Sequence, residues 1–185
     1  VAVKPALGGR LACLSFHPRK LLTTGEGGAI VTDDSAVIES VRRLRAHGLC
    51  AVPGEEVMEL PESGLNYRLA EAAAAMGRVQ LRRLPQLIAR HRELAEHYRR
   101  RLSDSNLGFQ ADHPERIWQT FAVVLPAGIS RKAIRAELQA EGIETQIASY
   151  GLHRLAAFRN APRFAAHGAS SDLRVTDLLH DRGLA

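Results

Sequence analysis

Between Leu11 and Asp34 the chain reads LACLSFHPRKLLTTGEGGAIVTDD. Two short apolar runs, 11–16 and 28–33, are bounded by glycine and charge and read as strands. The stretch between them suits neither: HPRK, then a threonine doublet, then GEGG. The fold must therefore accommodate two strands with a lysine-bearing loop at their mouth. Lys20 lies five residues after the Ser15 hydroxyl. Gly25, Gly27 and Gly28 follow it, allowing positive φ and close backbone approach. A lysine so placed can add to a carbonyl, a reaction that desolvation and neighbouring positive charge promote. Phe16, His17 and Arg19 flank it. Ser15 and glycine-exposed amides could hold an anion such as phosphate. Taken alone, the pattern is far more often that of a solvated turn lysine, and it is not a P-loop, because GxxxxGK[ST] is absent.

After the second strand, Asp34 or Ser35 can cap a helix running to about Ala46, with Val37, Ile38, Val41 and Leu44 on one face. Residues 47–69 contain two prolines and three glycines and read as a long loop, a length that usually means function or an arm between elements. An alanine-rich helix is expected from about Ala70 to Leu84, with Pro85 as a kink or boundary. A second amphipathic helix then extends to about Leu102. Beyond it come a strand at 118–126, a helix at 130–142 capped by Ser130, a strand at 143–149 and a helix at 170–182. The expected class is α/β. Residues 1–85 would form part of a larger lobe, and 86–185 a connecting helix with a small α+β lobe.

Of the 185 residues 45% are apolar, enough for a sizeable core. No apolar run approaches the length of a membrane span and the start does not read as a signal peptide. Cys13 and Cys50 are too few for a disulfide framework. These features lead to the expectation of a reduced, cytoplasmic protein that makes no use of a membrane. Net charge is +5 and the pI near 9.8, which raises nucleic acid as a partner. The excess lies mostly in helical segments that interleave Arg with Glu93 and Glu96, a solvated-face pattern. Anionic small-molecule substrates suit a basic chain equally well, and nucleic acid is not the expected partner. His91 and His97 are six apart and cannot share a helix face as ligands, so no metal site is expected.

SFHPRKLLTTGEGGAIVTDD resembles the lysine segment of the DegT/DnrJ/EryC1/StrS family of pyridoxal-phosphate-dependent sugar aminotransferases. The resemblance continues through VRRLRAHG (41–48), GLNYRLAEAAAAMGRVQLRRL (64–84), HRELAEHYRRRL (91–102), WQTFAVVLP (118–126) and GIETQIASYGLHRLAAF (142–158). Several linked motifs in order are far more specific than any one of them. The resemblance implies a fold-type-I transferase, here part of the large lobe followed by the small one. It implies pyridoxal 5'-phosphate as cofactor, with Lys20 as the Schiff-base lysine and later the base for the proton shift. Ser15 would bind the cofactor phosphate. Asn66 would reach the phosphate in the neighbouring subunit of a homodimer with shared active sites. His17, Arg68, Tyr150 and His153 resemble positions near the site or the substrate entrance. The implied reaction moves an amino group, from glutamate, to a keto group of a nucleotide-linked sugar, in antibiotic or polysaccharide biosynthesis.

One part of the pattern departs from the family. Members carry an aspartate that pairs with the pyridine nitrogen and makes the cofactor a better electron sink. Here no Asp or Glu precedes Glu26, and Lys4 stands where carboxylates are expected. The chain as read is therefore expected to be inactive in isolation, whether as a fragment, as a degenerate member, or because residues have been skipped. The alternative is a non-catalytic binding, regulatory or assembly protein on the same fold.

Overall fold

The computed structural model describes residues 11–159 and 173–185. Lys4 and the first three residues of the helix expected at 170–182 lie outside them. The chain divides into two compact units, Val1–Leu87 and Ile88–Ala185.

In the first unit, β1 (Ala12–Ser15) and β2 (Gly28–Val31) pair antiparallel, with Ser15 opposite Gly28. The Phe16 N–H extends the ladder by one bond, to the Gly27 carbonyl at 2.9 Å. Gly28 is required here, because a Cβ would lie 2.6 Å from the Leu14 carbonyl oxygen. Helix α1 (Ser35–Leu44) follows. Asp34, rather than Ser35, is its cap, accepting from the N–H groups of Ala36 and Val37 at 3.0 and 3.2 Å. Arg42 and Arg43 in the last turn complement the helix dipole.

The expected loop is irregular but anchored. After α1 the backbone turns left-handed at His47 and Gly48 (φ 68° and 83°). A Cβ on Gly48 would sit 1.8 Å from the Glu62 carbonyl oxygen, so only glycine lets the returning arm approach. That arm bonds along the helix end: Leu65 N–H to Leu44 O, Tyr67 N–H to Arg45 O, and His47 N–H to Leu65 O. Arg43 adds a paired contact to Glu62 at 2.9–3.0 Å.

Helix α2 runs unbroken from Glu71 to Arg101, with Pro85 inside it. The expected boundary at Pro85 is thus corrected. Proline removes one backbone donor, and strong helix formers on both sides outweigh that loss over 31 residues. On its surface Arg90 hydrogen-bonds Glu93 at 2.8 Å and, through that bond and its charge, lowers the Glu93 carboxyl pKa below its ordinary value.

The second unit has its own core. β3 (Gly108–Phe109), β4 (Val123–Val124) and β5 (Gly183–Leu184) form an antiparallel sheet with β4 in the middle. Val123, Leu125 and Leu184 are buried there against Leu107, Phe109, Phe121 and the Ile134 and Leu138 side of α3 (Arg131–Ala140). Ser130 caps α3 through its hydroxyl, as its position in the sequence suggests. Tyr98 stacks on Phe121 with centroids 5.2 Å apart.

Two strands expected in this unit are much reduced. The run 118–126 supplies only Val123–Val124 to a ladder. Trp118 sits at φ 50° with its carbonyl 2.9 Å from His91 Nδ1, so the backbone turns before the strand begins. The run 143–149 forms a single bridge, Ile147 to Leu184, because its groups pair with the last three residues rather than a long neighbour. A 3₁₀ turn (Leu152–Arg154), α4 (Ala156–Arg159) and α5 (Arg174–Arg182) complete the unit.

Candidate functional site

The Lys20 loop is built by its threonines. Thr24, only 5% exposed, donates its N–H to the Phe16 carbonyl at 3.1 Å and its hydroxyl to the Glu26 carbonyl at 2.7 Å. Thr23 donates its hydroxyl to the same Phe16 carbonyl at 2.9 Å and accepts from the Gly25 N–H at 3.0 Å. Two hydroxyls and one strand-end carbonyl thus fold the loop back on β1. A Cβ on Gly77 of α2 would lie 2.9 Å from the Thr24 methyl, so the helix closes on the loop at a glycine.

On this frame Ser15, His17 and Lys20 share one turn. The Lys20 N–H donates to the His17 carbonyl at 2.8 Å, while its half-buried side chain makes no hydrogen bond or ion pair with described residues. The exposed Ser15 hydroxyl accepts only a long contact of 3.4 Å from the His17 N–H. His17 Nδ1 accepts from the Arg19 N–H at 3.1 Å, and Nε2 is 4.0 Å from Glu26. An amine and a hydroxyl are therefore presented from one rigid turn.

Asn66 and Arg68 lie on the returning arm. Asn66 bridges to Ala46 and accepts from the Arg68 Nε–H at 3.0 Å. The Asn66 amide nitrogen keeps its donors for another partner. Among the described residues no hydrogen bond or ion pair joins this pair to the Lys20 turn. Tyr150 and His153 belong to the second unit, where Tyr150 meets His180 edge-on and His153 pairs with Asp177 at 3.0 Å.

The Lys20 turn carries an amine that can add to a carbonyl and a hydroxyl that can donate to an anion, while the Asn66 amide stands apart on the returning arm. Sequence reasoning left Thr23 and Thr24 without a role, although a polar doublet before GEGG signals a hydrogen-bonded turn. It also missed Asp177, whose signal is an acidic pair with Asp181 at helical spacing. Among the described residues no cluster of side chains is placed to hold a metal ion, and no helix is long and apolar enough to cross a membrane.

A model of the DegT/DnrJ/EryC1/StrS aminotransferase family matches residues 6–185. The fold is similar to that of the aminotransferase TlmJ from Streptoalloteichus hindustanus, at 27% identity and TM-score 0.81, over 95% of this chain and 46% of that one. It is also similar to Helicobacter pylori PseC, an aminotransferase involved in pseudoaminic acid biosynthesis (25% identity, TM-score 0.83, 95% and 47%). A third similar structure is DesI, analysed in the presence of its TDP-sugar product (33% identity, TM-score 0.79, 95% and 44%). The chain spans less than half the length of each.

Proposed function

The chain belongs to the DegT/DnrJ/EryC1/StrS aminotransferase family, and from that premise we propose that the whole protein is a pyridoxal-phosphate-dependent sugar aminotransferase. It transfers an amino group, from glutamate, to a keto group on a nucleotide-linked sugar. The observation that carries this reading is the Lys20 amine, without a partner among described residues, on a turn locked by Thr23 and Thr24. The TDP-sugar product of DesI and the sugar pathway of PseC support the substrate class.

Pyridoxal phosphate, when bound, supplies an electron sink beside the carbon that gains or loses the amino group. Lys20 would hold its aldehyde carbon, and its amine would serve as the base that moves the substrate proton. The Ser15 hydroxyl would donate to the phosphate. Phe16 gives the turn apolar cover, and the Thr24 bonds keep Lys20 in register with β1. Asn66, whose amide donors have no partner among the described residues, would donate to the phosphate in the neighbouring subunit of a homodimer. Leu65 and Tyr67 beside it are exposed, as are Val57 and Leu60 further up the arm, an apolar surface of the kind a second subunit covers. His17, Arg68, Tyr150 and His153 border the substrate. The protein acts in the cytoplasm, where nucleotide-linked sugars are used in biosynthesis of surface polysaccharides or antibiotics.

The test is amino transfer from glutamate to a TDP-linked keto sugar by the full-length protein. The wild type should turn over and Lys20→Ala should lose at least about a thousandfold in rate, the scale of removing an essential proton-transferring nucleophile. A Lys20→Ala variant that retains wild-type turnover contradicts the assignment. A folded wild type that neither keeps cofactor nor turns over supports the non-catalytic alternative.

A further inference from the structure

Helix α5 faces the Gly151–Leu155 turn with three polar side chains one helical turn apart. Asp177 Oδ1 lies 3.0 Å from His153 Nε2 and 3.6 Å from the Arg154 guanidinium. Asp181 Oδ1 is 2.6 Å from the same guanidinium. His180 Nδ1 accepts the Gly151 N–H at 3.0 Å, while the Arg131 guanidinium holds the His180 carbonyl. His153, Arg154, Leu155 and His180 together line a cavity of about 420 Å³.

These partners decide where each imidazole carries its proton. An ionised carboxylate only accepts, so His153 donates from Nε2 and, as the neutral ring, keeps a lone pair at Nδ1. A backbone N–H only donates, so His180 uses its Nδ1 lone pair and carries its proton at Nε2. The two rings share one tautomer but are held by opposite ends. Each leaves a different atom free: an acceptor on His153 and a donor on His180. Neither free atom has a partner among the described residues. The rings also come together at one residue. A Cβ on the buried Gly151 would lie 3.1 Å from His153 Cε1 and 3.6 Å from its Nδ1, so the free side of His153 faces the residue whose N–H holds His180.

We propose that α5 fixes His153 and His180 as a complementary acceptor–donor pair that recognises a sugar hydroxyl in the cavity both residues line, with Asp177 as the positioning residue. A hydroxyl donates one bond and accepts others, which matches this pair. A phosphate or carboxylate offers no proton to His153 Nδ1 and matches it poorly. The substrate part of the proposal rests on the reading of the protein as a sugar aminotransferase; the state of the rings does not.

The test combines histidine-labelled ¹⁵N NMR on the full-length protein with steady-state kinetics on a TDP-linked keto sugar. NMR is read near pH ~8.5, well above the ordinary imidazole range. In the wild type, both rings should show the proton on Nε2 and a lone pair at Nδ1. Asp177→Asn, whose amide both donates and accepts, should give His153 mixed tautomers and raise KM about tenfold, the scale of one charge-assisted hydrogen bond, with kcat within about twofold. Asp177→Glu should restore the single tautomer and most of the affinity. Asp181→Asn removes a partner of Arg154 but spares His153, and should leave the tautomer unchanged.

The proposal is overturned if the wild-type His153 proton sits on Nδ1, or if Asp177→Asn alters neither tautomer nor KM. It is also overturned if Asp181→Asn alters the ring as much as Asp177→Asn, since Asp177 would then merely hold the turn together. A KM unchanged while the tautomer becomes mixed rejects the hydroxyl contact. Complete absence of amino transfer in a wild type with the expected tautomers rejects the functional reading and, with it, the sugar as ligand.

Discussion

The two units of the chain are held together by different forces. Every buried hydrophobic side chain among the described residues lies in the second: Ala95, Trp118, Val123, Leu125 and Leu184. In the first, the buried polar side chain is Thr24, while Tyr67 is 71% exposed and Val57 77%. Within this chain, which spans less than half of the relatives it matches, packing shows in the second unit, and hydrogen bonds, glycine turns and a capped helix show in the first. The contrast teaches where the chemistry is placed. The lysine stands on the hydrogen-bonded unit, in a loop whose shape is set by two hydroxyls and one carbonyl.

The contrast can be broken at either end. The largest effect is expected at Leu125, which is 4% exposed in the core of the second unit. Leu125→Ala should cost about 3 kcal/mol in urea unfolding, the central value for a leucine cavity. A loss below about 1 kcal/mol would mean that the second unit is not held by this core. A smaller effect is expected at Thr24, where valine keeps the shape and removes the hydroxyl. Thr24→Val leaves the Glu26 carbonyl without its 2.7 Å donor and should cost about 1–2 kcal/mol. Its amide, and those of Phe16 and Gly25, should exchange faster with solvent while the β4 amides keep their rates. Unchanged exchange in the Lys20 loop would show that apolar contacts, not hydroxyls, shape it.

Much of this architecture was legible in the sequence where local chemistry decides. The two strands around Lys20 were marked by short apolar runs bounded by glycine and charge, the cap at Ser130 by its place before a helical pattern, and the irregular arm by its prolines and glycines. Most of the misses share a cause, namely partners distant in sequence. Trp118 leaves the strand because His91, 27 residues away, takes its carbonyl. Residues 143–149 fail to become a full strand because their partners are the short stretch ending at Ala185. Pro85 fails to end a helix because the turns on both sides favour continuation. For the site, the linked motifs pointed to Lys20 and Ser15 but left Thr23 and Thr24 without a role, although a polar doublet before GEGG signals a hydrogen-bonded turn. The pairing of Asp177 with His153 joins residues 24 apart.

The central claim is that Lys20 is where this protein holds its cofactor, and the chain makes it unusually easy to test. It has three lysines, Lys4, Lys20 and Lys132, among 25 basic residues. The full-length protein, loaded with pyridoxal phosphate and reduced with borohydride, should carry the phosphopyridoxyl group on the peptide containing Lys20, and Lys20→Ala should carry none. A label found on Lys132 or Lys4, or a folded wild type that takes up no label at saturating cofactor, would contradict the account.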